Sequence, residues 1–139
     1  MPSPTITPVL VAQLLAEGEL MPVYVHVIEH PDARVLVDTG MTELHPAVAD
    51  MDPRLVPLSE QADFDLASID VVINTHLHFD HCGGNHLFGD RPIYVQRREL
   101  EDARGEDGYT PGIAATVVVP RGASLCRSRF ARRRFSRPA

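Results

Sequence analysis

The elements legible along the sequence are mixed, which predicts a fold of the α/β (α+β) class. Three observations carry this. Apolar, β-branched runs at "PVYVHV", "RVLVD", "DVVINT" and "RPIYVQ" read as strands. "RRELEDA", directly after the last of them, reads as a helix with charges suited to an exposed face. The length of 139 residues, 44% of them apolar, allows one modest domain with a core of its own.

Taken in order, residues 8–20, "PVLVAQLLAEGEL", form an apolar run ending near Gly18. Its pattern fits a short helix or a strand. Val23, Val25 and Val27 then alternate with Tyr24, His26 and Ile28, which is strand periodicity. "HPDA" is a turn in which Pro31 fixes φ, and "RVLVD" is a second strand, so the pair reads as a hairpin. Asp38-Thr39-Gly40 closes it. Residues 41–63 are irregular, because Pro46, Pro53 and Pro57 interrupt any long element. "DLASI" (65–69) makes a helical turn capped by Asp65. "DVVINT" (70–75) reads as a buried strand, "RPIYVQ" (91–96) as another, and "RRELEDA" (97–103) as the helix. After Tyr109 there is one strand-like run, "ATVVV", and then an Arg/Ser-rich stretch without periodicity. There are no repeats, no phosphate loop and no dinucleotide glycine fingerprint.

Charge divides the chain. Residues 1–110 hold all 19 acids and 6 of the 13 basic residues, giving −13; residues 111–139 hold 7 arginines and no acid, giving +7. Lysine is absent throughout. So abrupt a change of sign marks a basic tail or a segment of different origin. With only Phe130 and Phe135 interleaved among the arginines, no nucleic-acid partner is expected. No apolar run reaches the length of a membrane span, and "MPSPTITPVL" lacks the basic and apolar regions of a signal peptide. The expected location is therefore cytoplasmic, with no membrane partner. Cys82 and Cys126 make no disulfide framework, and Cys82 reads as a reduced small residue.

The chemistry concentrates in "NTHLHFDHCGG", residues 74–84, which gathers His76, His78, Asp80 and His81. On an extended backbone His76 and His78 point to one side and can grip one ion. As the chain turns, Asp80 and His81 swing toward a neighbouring position. Imidazoles with a carboxylate suit zinc or iron better than calcium. The bland alternative is a run of solvated or capping histidines; the strand before the cluster and the glycines after it argue against that. Those glycines would permit close backbone approach and unusual dihedrals. His26, His30 and His45 read as structural or solvated, and His86 as a residue at the site's edge but not a ligand. Met21, Met41 and Phe79 could form apolar walls beside such a site, although core packing is the commoner use of such residues.

"INTHLHFDHCGGN" resembles the signature of the metallo-β-lactamase fold superfamily, and "VLVDTGM" resembles its first motif. "EHPDARVLVDTGM", "THLHFDHCGGNHLF" and "PIYVQRRELEDA" are similar to the N-acyl homoserine lactonase branch, the quorum-quenching hydrolases, over residues 20 to 110. The resemblance implies an αββα sandwich of which this chain provides the N-terminal half, a mixed sheet with flanking helices. It implies that His76 and His78 bind a first metal and Asp80 and His81 a second. Asp38 would stand behind them, accepting a hydrogen bond from a ligand histidine and fixing its tautomer. The cofactor would be Zn2+, two per complete site, with Fe or Mn as alternatives. The substrate would be a small lactone or ester, opened by a metal-bound hydroxide. Asp80 would be catalytic, orienting the hydroxide and passing a proton to the leaving alkoxide.

The family pattern also calls for a third histidine on the first metal, a bridging aspartate and a final histidine. The sequence has no histidine beyond His86 and no acid beyond Asp107. The expected organisation is therefore residues 1–110 as the N-terminal half of the domain and 111–139 as an Arg-rich, aperiodic tail, disordered or produced by a frameshift near residue 110. Such a fragment would expose one apolar sheet face, self-associate through it and hold metal weakly. Other readings keep the fold but change the chemistry, to a glyoxalase II-like thioester hydrolase or an iron oxidoreductase. A last one is a non-catalytic remnant or a module that pairs with another chain.

Overall fold

The computed structural model describes residues 3–44, 46–104 and 130–134. His45, "ATVVV" and most of the Arg-rich tail lie outside them. A seven-stranded mixed sheet organises the described residues, in the order β4-β1-β2-β3-β5-β6-β7. The strands are β1 Thr5–Ala16, β2 Glu19–His30, β3 Ala33–Val37, β4 Arg54–Leu55, β5 Val71–Asn74, β6 Pro92–Gln96 and β7 Phe130–Arg134. Two helices accompany them, α1 Phe79–Cys82 and α2 Arg97–Arg104. The mixed α/β class expected from the sequence is thus the observed one.

The ambiguous run at residues 8–20 is strand, not helix: it holds most of β1, a turn at Glu17–Gly18 and the first two residues of β2. β1 pairs antiparallel with β2 along its whole length, from Thr5 opposite Glu29 to Ala16 opposite Glu19. Glu17 and Gly18, with φ of 52° and 82°, supply the left-handed pair that a tight two-residue hairpin needs. A bulge between Leu10 and Ala12 leaves Val11 as the extra residue. Val11 is fully buried, and a Cβ on Gly40 would lie 2.7 Å from its Cγ2. The bulge thereby drives a side chain against the Asp38–Gly40 turn. The β2–β3 hairpin forms as expected, with Val27 opposite Leu36. The capped turn at Asp65 also forms, Ala67 N donating to Asp65 Oδ1 at 3.0 Å.

The parallel part of the sheet positions the site. β5 pairs parallel with β3 and with β6. The loops leaving β3 and β5 therefore emerge at the same end of the sheet. In an open sheet with parallel strands that end is where ligands are usually bound.

The two faces of the sheet differ. Val27, Leu36, Val72 and Ile93 lie in register across four strands, all 3% exposed or less, and form the core with Phe79 and Phe88. The other face carries the row Ile6–Ile28–Val35–Val71 and the row Val37–Ile73–Tyr94. Ile28, Val35, Val37, Val71, Ile73 and Tyr94 are only half-buried, and Ile6 and Tyr24 are 65% and 43% exposed. No helix among the described residues is long and apolar enough to cross a membrane.

Candidate metal centre

The site is built from two loop starts. β3 leads directly into Asp38, a non-glycine residue at φ 63°, a strained conformation of the kind that clusters at functional positions. β5 ends in Asn74, and the chain runs through Thr75, His76, Leu77 and His78 into α1. Leu77 is buried against Val95 and Leu100, while its neighbours His76 and His78 are less buried. That alternation sends the two imidazoles to the side away from Leu77. Their ring centroids lie 4.9 Å apart, and those of His76 and His81 lie 4.2 Å apart. Ligand-capable atoms of His76, His78 and Asp80 fall within 4.8 Å of one another, as do those of Asp38, His76 and His81. All five candidate residues are brought together, with His76 common to both groupings.

The glycine pair after the cluster works through space alone. Gly83 and Gly84 have ordinary φ of −60° and −87°, so the expectation of unusual dihedrals fails there. A Cβ on Gly84 would lie 2.4 Å from the Thr39 carbonyl oxygen. Without one, the α1 segment packs on the Asp38–Met41 turn: Gly84 N donates to Gly40 O at 3.0 Å and Thr39 N to His81 O at 2.8 Å. Close packing fixes His81 beside Asp38.

A layer of polar residues unremarked in the sequence supports the cluster. Asn74 and Asn85 exchange hydrogen bonds of 2.7 and 3.1 Å, and Thr39 Oγ1 donates to Asn85 Oδ1 at 2.9 Å; all three side chains are buried. Glu99 of α2 accepts from Leu77 N at 2.8 Å, pinning the backbone between the two histidines. Thr75 donates to Asp38 from both its backbone N (2.8 Å) and its hydroxyl (2.7 Å). Only the placement of Asn74 at the end of an apolar strand hinted at this layer.

Electrostatics ties the charged members together. His81 Nε2 lies 3.4 Å from Asp80 Oδ2 and His81 Nδ1 lies 3.4 Å from Asp38 Oδ2. Burial disfavours a charged His81, but the flanking Asp38 and Asp80 carboxylates outweigh it and raise the pKa to about 9. Burial would raise Asp80; the contact with His81 prevails and holds it below the usual carboxylate range. Burial, then the neighbouring His81 and His78, push His76 down. Burial and the nearby carboxylates push the Cys82 thiol up to about 12, so it is an inert core thiol, consistent with its 2% exposure.

The donor set fits a zinc or iron ion: imidazoles and carboxylates converge, and His81 Nδ1 is buried without a hydrogen-bond partner. Asp38 takes its hydrogen bonds from Thr75, while its 3.4 Å contact with His81 is an ion pair. Of the other residues singled out, Met41 and Phe79 are core, at 2% and 8% exposure, and Met21 is 48% exposed. His86 is exposed and meets the Gly83 carbonyl at 3.0 Å. His26 is exposed on its strand, and His30 Nδ1 accepts from Asp32 N at 3.1 Å.

A mixed sheet that gathers three imidazoles and two carboxylates beyond the ends of its parallel strands defines a candidate metal-binding protein. Comparison with known proteins makes the class specific. The family profile of the metallo-beta-lactamase superfamily matches residues 18–121, and the chain belongs to that superfamily. An N-acyl homoserine lactonase of Bacillus sp is 33% identical, over 68% of this chain and 45% of its own length. The lactonase AiiA of Bacillus thuringiensis subsp. kurstaki is 32% identical over the same shares. The chain thus spans about half the length of these curated relatives. Among solved structures, an N-acyl homoserine lactone hydrolase with N-hexanoyl-L-homoserine at its catalytic metal center superposes with a TM-score of 0.55 and 28% identity, over 80% of this chain and 55% of that one. The fold is that of metallo-β-lactamase-type lactonases.

Proposed function

We propose that this chain is the metal-binding N-terminal part of a lactonase-type hydrolase that opens N-acyl homoserine lactones. The convergence of His76, His78, Asp80 and His81 beside Asp38 carries the reading. His76 and His78 would hold one ion, Asp80 and His81 a second, with zinc as the metal. Bound zinc supplies Lewis acidity and an acidified water. Asp80 would orient that water toward the lactone carbonyl carbon. Water would add there while the Asp80 carboxylate takes one of its protons, and the ring carbon–oxygen bond would break. Asp80 would return that proton to the departing alkoxide, the new carboxylic acid losing its own proton to solvent. The products are a carboxylate and a free hydroxyl. In the metal-free arrangement the contact with His81 already favours the ionised form of Asp80, the form in which a carboxylate can hold an ion.

The sequence holds no histidine after His86, so the chain would contribute one part of the complete donor set; residues 111–139 would be an Arg-rich tail of which Phe130–Arg134 joins the sheet beside β6. The test is zinc binding by the purified chain, followed by ring opening of N-hexanoyl homoserine lactone. The reading predicts weak zinc binding and at most slow, zinc-dependent ring opening that Asp80→Asn abolishes. Activity indifferent to zinc or to Asp80→Asn would sink it, and bound zinc with no ring opening would reduce the chain to a non-catalytic metal module.

One observation favours a second, compatible reading. The half-buried apolar rows on the outer sheet face, from Ile6 to Tyr94, favour self-association through that face.

A further inference from the structure

The histidine cluster poses a question about its protons. A neutral imidazole carries one proton on either of two nitrogens, and only the other can bind an ion. Thr75 Oγ1 lies 2.9 Å from His76 Nδ1 and 2.7 Å from Asp38 Oδ2. The hydroxyl has a single proton. The other carboxylate oxygen, Asp38 Oδ1, accepts from Thr75 N at 2.8 Å. An ionised carboxylate only accepts, so the hydroxyl proton is committed to Asp38 Oδ2. The contact with His76 can then be a hydrogen bond only if Nδ1 is the donor.

We infer that Thr75 is a positioning residue: its hydroxyl, polarised by Asp38, holds His76 in the Nδ1–H form and leaves Nε2 free for an ion. Asp38 acts on His76 through Thr75 and on His81 directly by charge, at 3.4 Å. A relay of carboxylate, hydroxyl and imidazole fixes ring orientation and tautomer, as the more direct carboxylate–histidine pairs of metal sites do. The inference rests on the metal-binding reading for its purpose, although the tautomer exists without any metal. Thr75 is exposed, so changing its hydroxyl to a methyl group opens no cavity in the core.

The experiment is a long-range 15N–1H correlation spectrum of the histidine rings in the full, metal-free chain near neutral pH. It is paired with zinc affinity measured against a chromophoric chelator. The wild type and Thr75→Ser should show His76 as Nδ1–H. Thr75→Val should lose that preference, and its zinc affinity should fall by on the order of tenfold or more. Asp38→Asn gives a sharper outcome. Thr75 N must still donate, so it retains the amide oxygen and turns the amide NH2 toward Thr75 Oγ1. The hydroxyl then donates to His76 Nδ1, and the ring proton moves to Nε2. Asparagine tolerates the positive φ of residue 38, which keeps this variant foldable. An Nε2–H ring in the wild type, or an unchanged Nδ1–H ring in Thr75→Val, would overturn the inference. Failure of the wild type to bind zinc would instead overturn the metal-binding reading, with the tautomer result standing by itself.

Discussion

His81 is the residue on which the cluster's charge balance turns. It sits between Asp38 and Asp80, and their carboxylates lift its pKa from 6.5 to about 9 in the folded chain. A folded pKa above the unfolded one means that protonated His81 stabilises the fold. The contribution is complete below about 6.5 and is lost as pH rises through about 9. The metal-free chain should therefore show a falling urea midpoint between those pH values, and His81→Asn should flatten that part of the profile. An unchanged slope in the variant would show that His81 is not held as an ion pair. The same proton competes with an ion for the ring, so zinc binding should strengthen over this range. The cluster itself was legible in the sequence because four ligand-type residues in six positions are rare on a strand end. Thr75, Asn85 and Glu99 were not. Polar residues near turns are common, and only the fold shows that Glu99 reaches Leu77 N from a helix 22 residues away.

At the level of elements, close backbone contact between two loops does what a disulfide or a salt bridge does elsewhere. The Asp38–Met41 turn and the α1 segment join through a parallel bridge between Gly40 and Cys82 and through the hydrogen bonds of Thr39 N and Gly84 N. Gly84→Ala would force its Cβ to within 2.4 Å of a backbone oxygen, a contact that no rotamer relieves. The expected cost is about 1–3 kcal/mol of stability, read as a lowered denaturation midpoint with displaced His81 ring resonances. A variant as stable as the parent would show that the two loops can separate freely. The strand patterns of β2, β3, β5 and β6 were legible because each alternates or is continuously apolar and ends at a turn residue. β1 was ambiguous because its partner decides it: the twelve-residue ladder with β2 makes it a strand, and local periodicity cannot see a partner. The bulge that aims Val11 at Gly40 is a property of that pairing too.

For the whole molecule, the asymmetry between the two sheet faces is the dominant feature. One face is closed by the core around Phe88 and Leu36, both fully buried, while the other leaves Ile6 and Tyr24 in solvent with a half-buried apolar field beside them. The purified chain should associate with concentration in light scattering, and Ile6→Glu with Tyr24→Glu should reduce that association. Monodisperse monomers of the parent at high concentration would contradict the self-association reading. The overall class was legible because strand runs and a following helix are local features. The sheet order, and with it the meeting of Asp38 with His81 across 43 residues of chain, comes from tertiary pairing of β3 with β5. The most direct measurement is equilibrium dialysis of the full chain against zinc, compared with a His76→Ala/His78→Ala double variant. The expected result is weak binding of up to two zinc ions per chain, of which the double variant loses the one held by His76 and His78, in keeping with an open donor set. No zinc on the parent, or equal zinc on the double variant, would contradict a metal centre built on this histidine cluster.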